Sequence, residues 1–387
     1  MQYEAMENGD LQLGRQLADD VLVPMKRAFI GKDEIIDLLG VCLVAGENLF
    51  LLGPPGTAKS ALVHDLGRRI DGRVFDYLLT RFTEPNELFG PFDIRKLREG
   101  ELLTNTEGML PEAALVFLDE LLNANSAILN SLLTVLNERV FRRGKETRPL
   151  PTLMVIGASN RLPDDDALGA LFDRFLMRVR CDNVPAERLP EVLDAGWQLD
   201  LGRVTAEKKM GVDGLRRLHS LLGQVDLSPM RPVLTDTVRR LRQAGMAVSD
   251  RRAVKLQRLA AASALVCGRT EALPADLWVL RYTWDTEEQQ ELIAAIVDDL
   301  LAKAKTEAAV HPRAGAAEAP DAESLARDLE AIDEKLASDG CTAGDHSYLR
   351  DRLGLLAARC QWVASEQQRG FLMARVDQLW NRLGKQS

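Results

Sequence analysis

The chain has 387 residues, 46% of them hydrophobic and 28% charged, enough for two or three domains with a full-sized core. Its formal net charge is −9, of which −7 falls after residue 284, where 19 acidic residues face 12 basic ones. The chain therefore lacks the overall basic footprint of a nucleic-acid binder, and no apolar run reaches the ~20 residues of a membrane span.

The five cysteines (Cys42, Cys181, Cys267, Cys341, Cys360) are odd in number and form no CxxC pair, which fits thiols in a reducing compartment. The four histidines make no metal spacing. Residues 1–20 are polar and acidic, unlike a signal peptide, so a cytoplasmic location is expected.

In chain order, Leu49-Phe50-Leu51-Leu52 is the first short apolar run, and it reads as a buried parallel strand. It ends in the loop Gly53-Pro54-Pro55-Gly56-Thr57-Ala58-Lys59-Ser60, which opens a helix over 61–66. Strand, Gly-rich loop and helix in this order make a phosphate cradle of backbone N–H groups and a helix N-terminus. Lys59 would neutralise the β- and γ-phosphates, and Ser60 would coordinate Mg2+. Ala58 stands where the general motif has Gly, at little cost if its φ is negative.

Residues 74–78 and 114–118 read as further strands, the second ending in Asp119-Glu120. An acid at that point can bind Mg2+, and the next can deprotonate an attacking water; two surface acids capping a helix would look the same. A helix follows over 125–136. Residues 153–158 form a fourth strand ending in Ser159-Asn160, where the Asn160 amide can hold a water or a γ-phosphate oxygen. Strands alternating with helices give a parallel sheet with its chemistry at the carboxyl ends. Two segments interrupt the alternation. One is 83–108; the other is 139–150, a hairpin with Gly144 at its tip and Arg139, Arg142, Arg143, Lys145 and Arg148 around it.

Arg174 in Leu171-Phe172-Asp173-Arg174-Phe175 can project from an apolar anchor toward a neighbour's γ-phosphate, or pair with a surface acid. After residue 185 the strand signal stops, and helical stretches near 187–193, 212–222, 234–244 and 253–266 form an all-helical domain. Within it Ser249 or Asp250 caps a helix that starts with Arg251 and Arg252; Arg251 would ride on a lid that swings onto the phosphates. Residues 308–322 are Ala/Pro/Gly-rich and read as a flexible linker. Beyond them, apolar residues at helical spacing over 325–336, 349–360 and 372–383 fit a helical bundle.

With GPPGTAKS, FLDE, GASN, LFDRF and SDRR in this order, residues 27–286 resemble the AAA+ ATPases. The segments FTEPNELFGPFDI, LLTVLNERVFRRGK and VSDRRAVKLQRLAAASAL resemble the MoxR family, within it the RavA-type branch. The resemblance implies an αβα nucleotide-binding core (1–185), a helical lid (186–285) and an acidic helical tail (286–387). It makes Lys59 and Ser60 Walker A residues, Asp119 and Glu120 Walker B, Asn160 sensor 1, Arg174 the arginine finger and Arg251 the sensor 2 arginine. Phe29-Ile30-Gly31 would flank the adenine. It further implies ATP and Mg2+ as ligands and a homo-oligomeric, hexameric ring. The ring would remodel a client protein beside a partner with a von Willebrand factor A domain. A nucleic-acid motor and a nucleotide-gated scaffold are the rival readings.

Overall fold

The computed structural model describes residues 8–99, 102–143, 146–163, 165–203, 209–304, 310–314, 322–337 and 366–385, with part of 349–360. Gly144 and Lys145 of the expected hairpin tip lie outside them.

Five strands form one parallel sheet: β1 (Leu49–Leu52), β2 (Val74–Leu78), β3 (Leu115–Asp119), β6 (Met154–Ser159) and β7 (Met177–Arg180), in the order β2-β3-β6-β1-β7. Helices cover both faces, so β1 and β6 are buried along their whole length. The sheet is an αβα sandwich, as the alternation predicts. β4 (Val140–Arg143) and β5 (Glu146–Pro149) pair apart from it as an antiparallel hairpin.

β7 has no counterpart in the sequence reading. It runs Met-Arg-Val-Arg beside β1 at the sheet edge, and Arg178 in its middle is fully buried. The Arg178 Nη1 donates to Asp285 Oδ1 (2.5 Å), and its guanidinium lies over the Phe172 ring at 4.1 Å. A buried cation needs such partners. Burial, with the like charge of Arg252 nearby, pushes the guanidinium down to about 10, although Asp285 works the other way.

The helical lid is wider than expected. Helix Glu287–Lys303 buries Ile293, Val297 and Leu300 in the same core as Trp278 and Leu280, so it belongs to the lid rather than to the tail. Residues 310–314, expected within a linker, are docked. His311 is buried and stacks on Trp278 at 4.4 Å, while Arg313 Nε reaches Asp37 Oδ2 at 2.7 Å. Burial would raise the Asp37 carboxyl, but His311 and Lys26 outweigh it and hold the group below the usual range. The tail has a core of its own, with Leu325, Leu329, Leu353, Leu372 and Val376 in one cluster.

Candidate functional site

The carboxyl ends of three neighbouring strands bring the sequence candidates together. In register, Leu52 of β1 lies beside Ser159 of β6, and Leu118 of β3 beside Gly157. The Gly53 N–H donates to the Ser159 carbonyl at 2.9 Å. Gly53, Asp119, Glu120 and Asn160 therefore share one edge of the sheet, the place where open parallel sheets put ligands.

The phosphate loop is shaped by two backbone needs. A Cβ on Gly53 would stand 2.3 Å from the Cys181 carbonyl, so only glycine lets β1 pass β7 there. Gly56 has φ +81°, and a Cβ there would meet nothing within 4 Å, leaving open space above the loop. Pro54, Pro55 and Gly56 are exposed, whereas Thr57 is buried and donates from Oγ1 to the Pro54 carbonyl at 3.0 Å. Ala58 has φ +67°, in the left-handed region. The condition for a low cost is not met: the methyl group sits in a strained conformation costing about 1–2 kcal/mol.

The helix Lys59–Arg69 begins after Ala58 without any side-chain cap. The helices beginning at Ser126 and Asp250 are instead capped by Asn125 and Ser249. An uncapped N-terminus leaves its first N–H groups and dipole for an anion. The Lys59 Nζ donates to the Gly53 and Pro54 carbonyls at 3.0 and 2.8 Å, lying beneath the loop. Such a cradle fits the triphosphate of ATP. Ser60 and Asp119 are half-buried oxygen donors, the hard set that Mg2+ takes together with phosphate oxygens. The Asp119 Oδ1 accepts from the Glu120 N–H at 3.0 Å, which fixes the carboxylate, and Glu120 is held at φ +49° just past the strand. Asn160 is exposed at the end of β6. Beside the loop, Gly31 (φ +71°) lies against Val184 and Arg188, and Ile30 next to it is half-buried.

Two candidates lie elsewhere. Arg174 precedes β7 at the amino end of the sheet, and its carbonyl accepts from the Asn48 side chain just ahead of β1. β1 alone separates that end from Gly53 by about 13 Å. Arg251 lines the same cavity as Arg174, about 610 Å³ in volume, along with Arg139, His219, Lys255 and Arg258. The lid helix Asp250–Val266 is pinned at this end by Lys255 on Glu47 (2.6 Å) and by Arg258 on the Ala45 carbonyl (3.0 Å). In this structure Arg251 therefore lines the cavity of Arg174 and not the phosphate loop. Among the described residues, two of the arginines in this cavity have a buried nitrogen with no partner, Nη1 of Arg139 and Nε of Arg174.

Arg252 differs from its neighbour. It is buried and reaches Asp285 through two contacts, at 3.0 and 2.8 Å, and also the Thr283 carbonyl. With Arg178 on the same carboxylate, it ties lid to core.

The four arginines of the hairpin, all among the described residues, have partners within the protein. Arg143 donates to the Gly90 carbonyl and to Asn86, and lies over Phe92 at 4.1 Å. Arg148 donates to Thr106, Arg142 pairs with Glu138 at 2.7 Å, and the half-buried Arg139 donates to Asn48. The hairpin and the 83–108 segment form one unit, and the cluster is not the open cationic strip that its sequence suggests. Among the described residues no helix is long and apolar enough to cross a membrane, and no group of three or more His, Cys, Asp or Glu could hold a metal by itself.

Comparison with known proteins agrees with this architecture. Residues 15–220, more than half of the chain, match the family described as the MoxR domain in the MoxR-vWA-beta-propeller ternary systems. Residues 230–297 match an AAA lid domain. The uncharacterised protein MJ0079 of Methanocaldococcus jannaschii is 34% identical over 278 residues, covering 71% of this chain and 72% of its own. Chaperone MoxR1 of Mycobacterium tuberculosis is 24% identical over 201 residues, about half of each chain (51% and 52%). A crystal structure from Cytophaga hutchinsonii, described as that of a candidate ATPase, superposes with a TM-score of 0.61 at 19% identity. It covers 77% of this chain and 98% of its own, a likeness of fold. By the match over residues 15–220, the lid beyond it and the parallel sheet that carries the loop, the chain belongs to the MoxR family of AAA+ ATPases.

Proposed function

We propose that the chain hydrolyses ATP in a homo-oligomeric, hexameric ring and uses the cycle to remodel or mature a partner protein, chaperone-like, beside a von Willebrand factor A domain protein. The observation that carries the reading is the placement of Arg174 and Arg251. Both line one cavity at the amino end of the sheet, whereas Gly53–Ser60 lies at the other end. This separation supports a site that a second copy completes with its own Arg174 and Arg251.

In the proposed step Lys59 and the N–H groups of the loop hold the β- and γ-phosphates. Asn160 and Glu120 hold the water in line. Glu120 takes its proton as the water oxygen bonds to γ-phosphorus and the bond to the β-bridging oxygen breaks, leaving ADP and phosphate. Mg2+ on Ser60 and Asp119 would neutralise the charge on the β- and γ-oxygens. Arg174 and Arg251 of the neighbouring copy stabilise the charge that develops on the γ-phosphoryl group, worth about 10³-fold or more for an arginine finger. Ile30 and Gly31 flank the adenine. In this reading Arg251 is the sensor 2 residue, acting between copies, and Arg252 is structural.

The description of the matched domain pairs MoxR with vWA and beta-propeller proteins, which supports the partner. The name of the Mycobacterium relative supports the chaperone role. GPPGTAKS and FTEPNELFGPFDI support a place in the RavA-type branch. The internal pairing of the hairpin arginines weighs against a nucleic-acid motor.

The test is subunit mixing. Arg174→Ala and Glu120→Gln chains are each expected to be inactive, and mixed rings to recover part of the ATPase rate. Mixing that restores nothing while mixed rings form would overturn a trans site. ATP-loaded Glu120→Gln chains are expected to retain a von Willebrand factor A protein in pull-downs.

A further inference from the structure

Leu189, Leu193, Trp197 and Leu201 recur every four residues on and just past the helix Leu189–Asp200, and all four are exposed, Trp197 at 61%. Residues four apart share a helix face, so these make one continuous apolar stripe. Leu199, on another face, packs against the body of the protein. A solvent-facing stripe of this length, with a tryptophan in it, marks an interface.

The stripe borders the nucleotide face. Arg188, one residue before the helix, lies against Gly31. At the far end Leu199 and Asp200 share a cavity with His64, Gly67 and Arg68 of the phosphate-binding helix.

A second exposed apolar surface lies on the helix that carries Arg251. Val254 stands one helical turn after Arg251 and is 58% exposed. It lines an open groove of about 840 Å³ between the helices Arg231–Gln243 and Asp250–Val266. Leu234, Val238 and Ala253 supply apolar lining; Arg231, Arg239 and Arg242 outnumber the one acid of the lining, Asp250, which pairs with Arg242 at 2.7 Å, while Arg239 pairs with Asp236 at 3.3 Å. The stripe helix and the turn before it carry Glu187, Glu191, Asp194 and Asp200 against the single Arg188. Acid on one surface faces base on the other.

We propose that the Leu193–Trp197 stripe docks into the Val254 groove of a second copy of this chain. The two patches differ, so the contact is heterologous and propagates head to tail, the geometry that closes rings. It also brings the helix of Arg251 to the nucleotide face of the next copy. The proposal rests on the reading of a site shared between copies.

The experiment uses the full chain carrying Glu120→Gln, with Mg2+ and ATP. Trp197→Cys and Val254→Cys chains are mixed and treated with a short bifunctional maleimide. The expected result is a cross-linked pair that forms in the mixture and from neither variant alone, with PEG-maleimide labelling of the Trp197→Cys thiol slowed at least tenfold on assembly. Trp197→Glu is expected to sediment as a monomer yet still bind a fluorescent ATP analogue. If the parent assembles while Trp197→Glu also assembles and the thiol labels at an undiminished rate, the docking proposal is overturned and the shared site stands. If the thiol is equally protected before and after assembly, something other than a second copy covers the stripe and the proposal falls. If the parent stays monomeric with ATP at every concentration, the shared site fails and takes the proposal with it.

Discussion

The side-chain amide of Asn48 donates to the backbone carbonyl of Arg174 at 3.0 Å, while its own oxygen accepts from Arg139 at 2.5 Å and from the Val155 N–H at 3.3 Å. One buried amide thus fixes the turn carrying Arg174 to the amino ends of β1 and β6. Asn48→Ala removes that tie without touching the phosphate loop. The ATPase rate should fall about 10- to 100-fold, the scale of a misplaced catalytic group, with the KM for ATP little changed. An equal fall in ATP binding measured by titration would refute a positioning role.

Arg251 and Arg252 should separate cleanly. Arg251→Ala is expected to lower hydrolysis with an unchanged urea midpoint, because the side chain is exposed. Asp285→Ala should instead cost about 3 kcal/mol in equilibrium unfolding, since it leaves the buried Arg178 and Arg252 without their carboxylate. If Arg251→Ala unfolds the chain and Asp285→Ala does not, the assignment is reversed.

Ala58 at φ +67° stores strain that a glycine lacks. Ala58→Gly is expected to stabilise the ligand-free chain by about 0.5–1 kcal/mol, the left-handed penalty less the entropy that glycine loses on folding. Denaturant titration reads this directly, and a loss of stability would contradict the geometry.

His219 predicts a pH response. Burial holds its imidazole below the ordinary value of 6.5, and the charges of Arg258 and Arg139 add to this against the Val44 carbonyl and Glu47. The neutral ring is thus the folded form: Nδ1 donates to Val44 at 3.1 Å, and Nε2 faces Arg258 at 3.5 Å. The unfolded ring takes up a proton below about pH 6.5 that the folded one resists, so stability falls as pH drops through that value and is full above it. His219→Gln should flatten the fall in melting temperature between pH 7 and pH 5.5. A slope unchanged from the parent would exclude His219 as its source.

Much of the site was legible because it lies on strand ends. Apolar runs locate β1, β3 and β6, and their carboxyl ends carry Gly53 just past β1, Asp119 as the last residue of β3 and Asn160 just past β6. β7 was hidden because Arg178 breaks its apolar run, and only its tertiary partners allow a cation there. The position of Arg251 depends on where the lid helix docks, which Lys255 and Arg258 decide through contacts more than 200 residues away in the chain. Charge along the hairpin was countable from sequence, but its partners in the 83–108 segment were not. The φ of Ala58 is likewise a property of the closed turn and not of the residue type.

The docking of His311 and Arg313 onto Trp278 and Asp37 anchors the chain ahead of the tail helix. From Ala314 to Ala322, where the first tail helix begins, a chain reaches about 29 Å at full extension. Ala322 therefore stays within that radius of Ala314, and a partner bound at that point would face the ATPase core at an effective concentration on the order of millimolar.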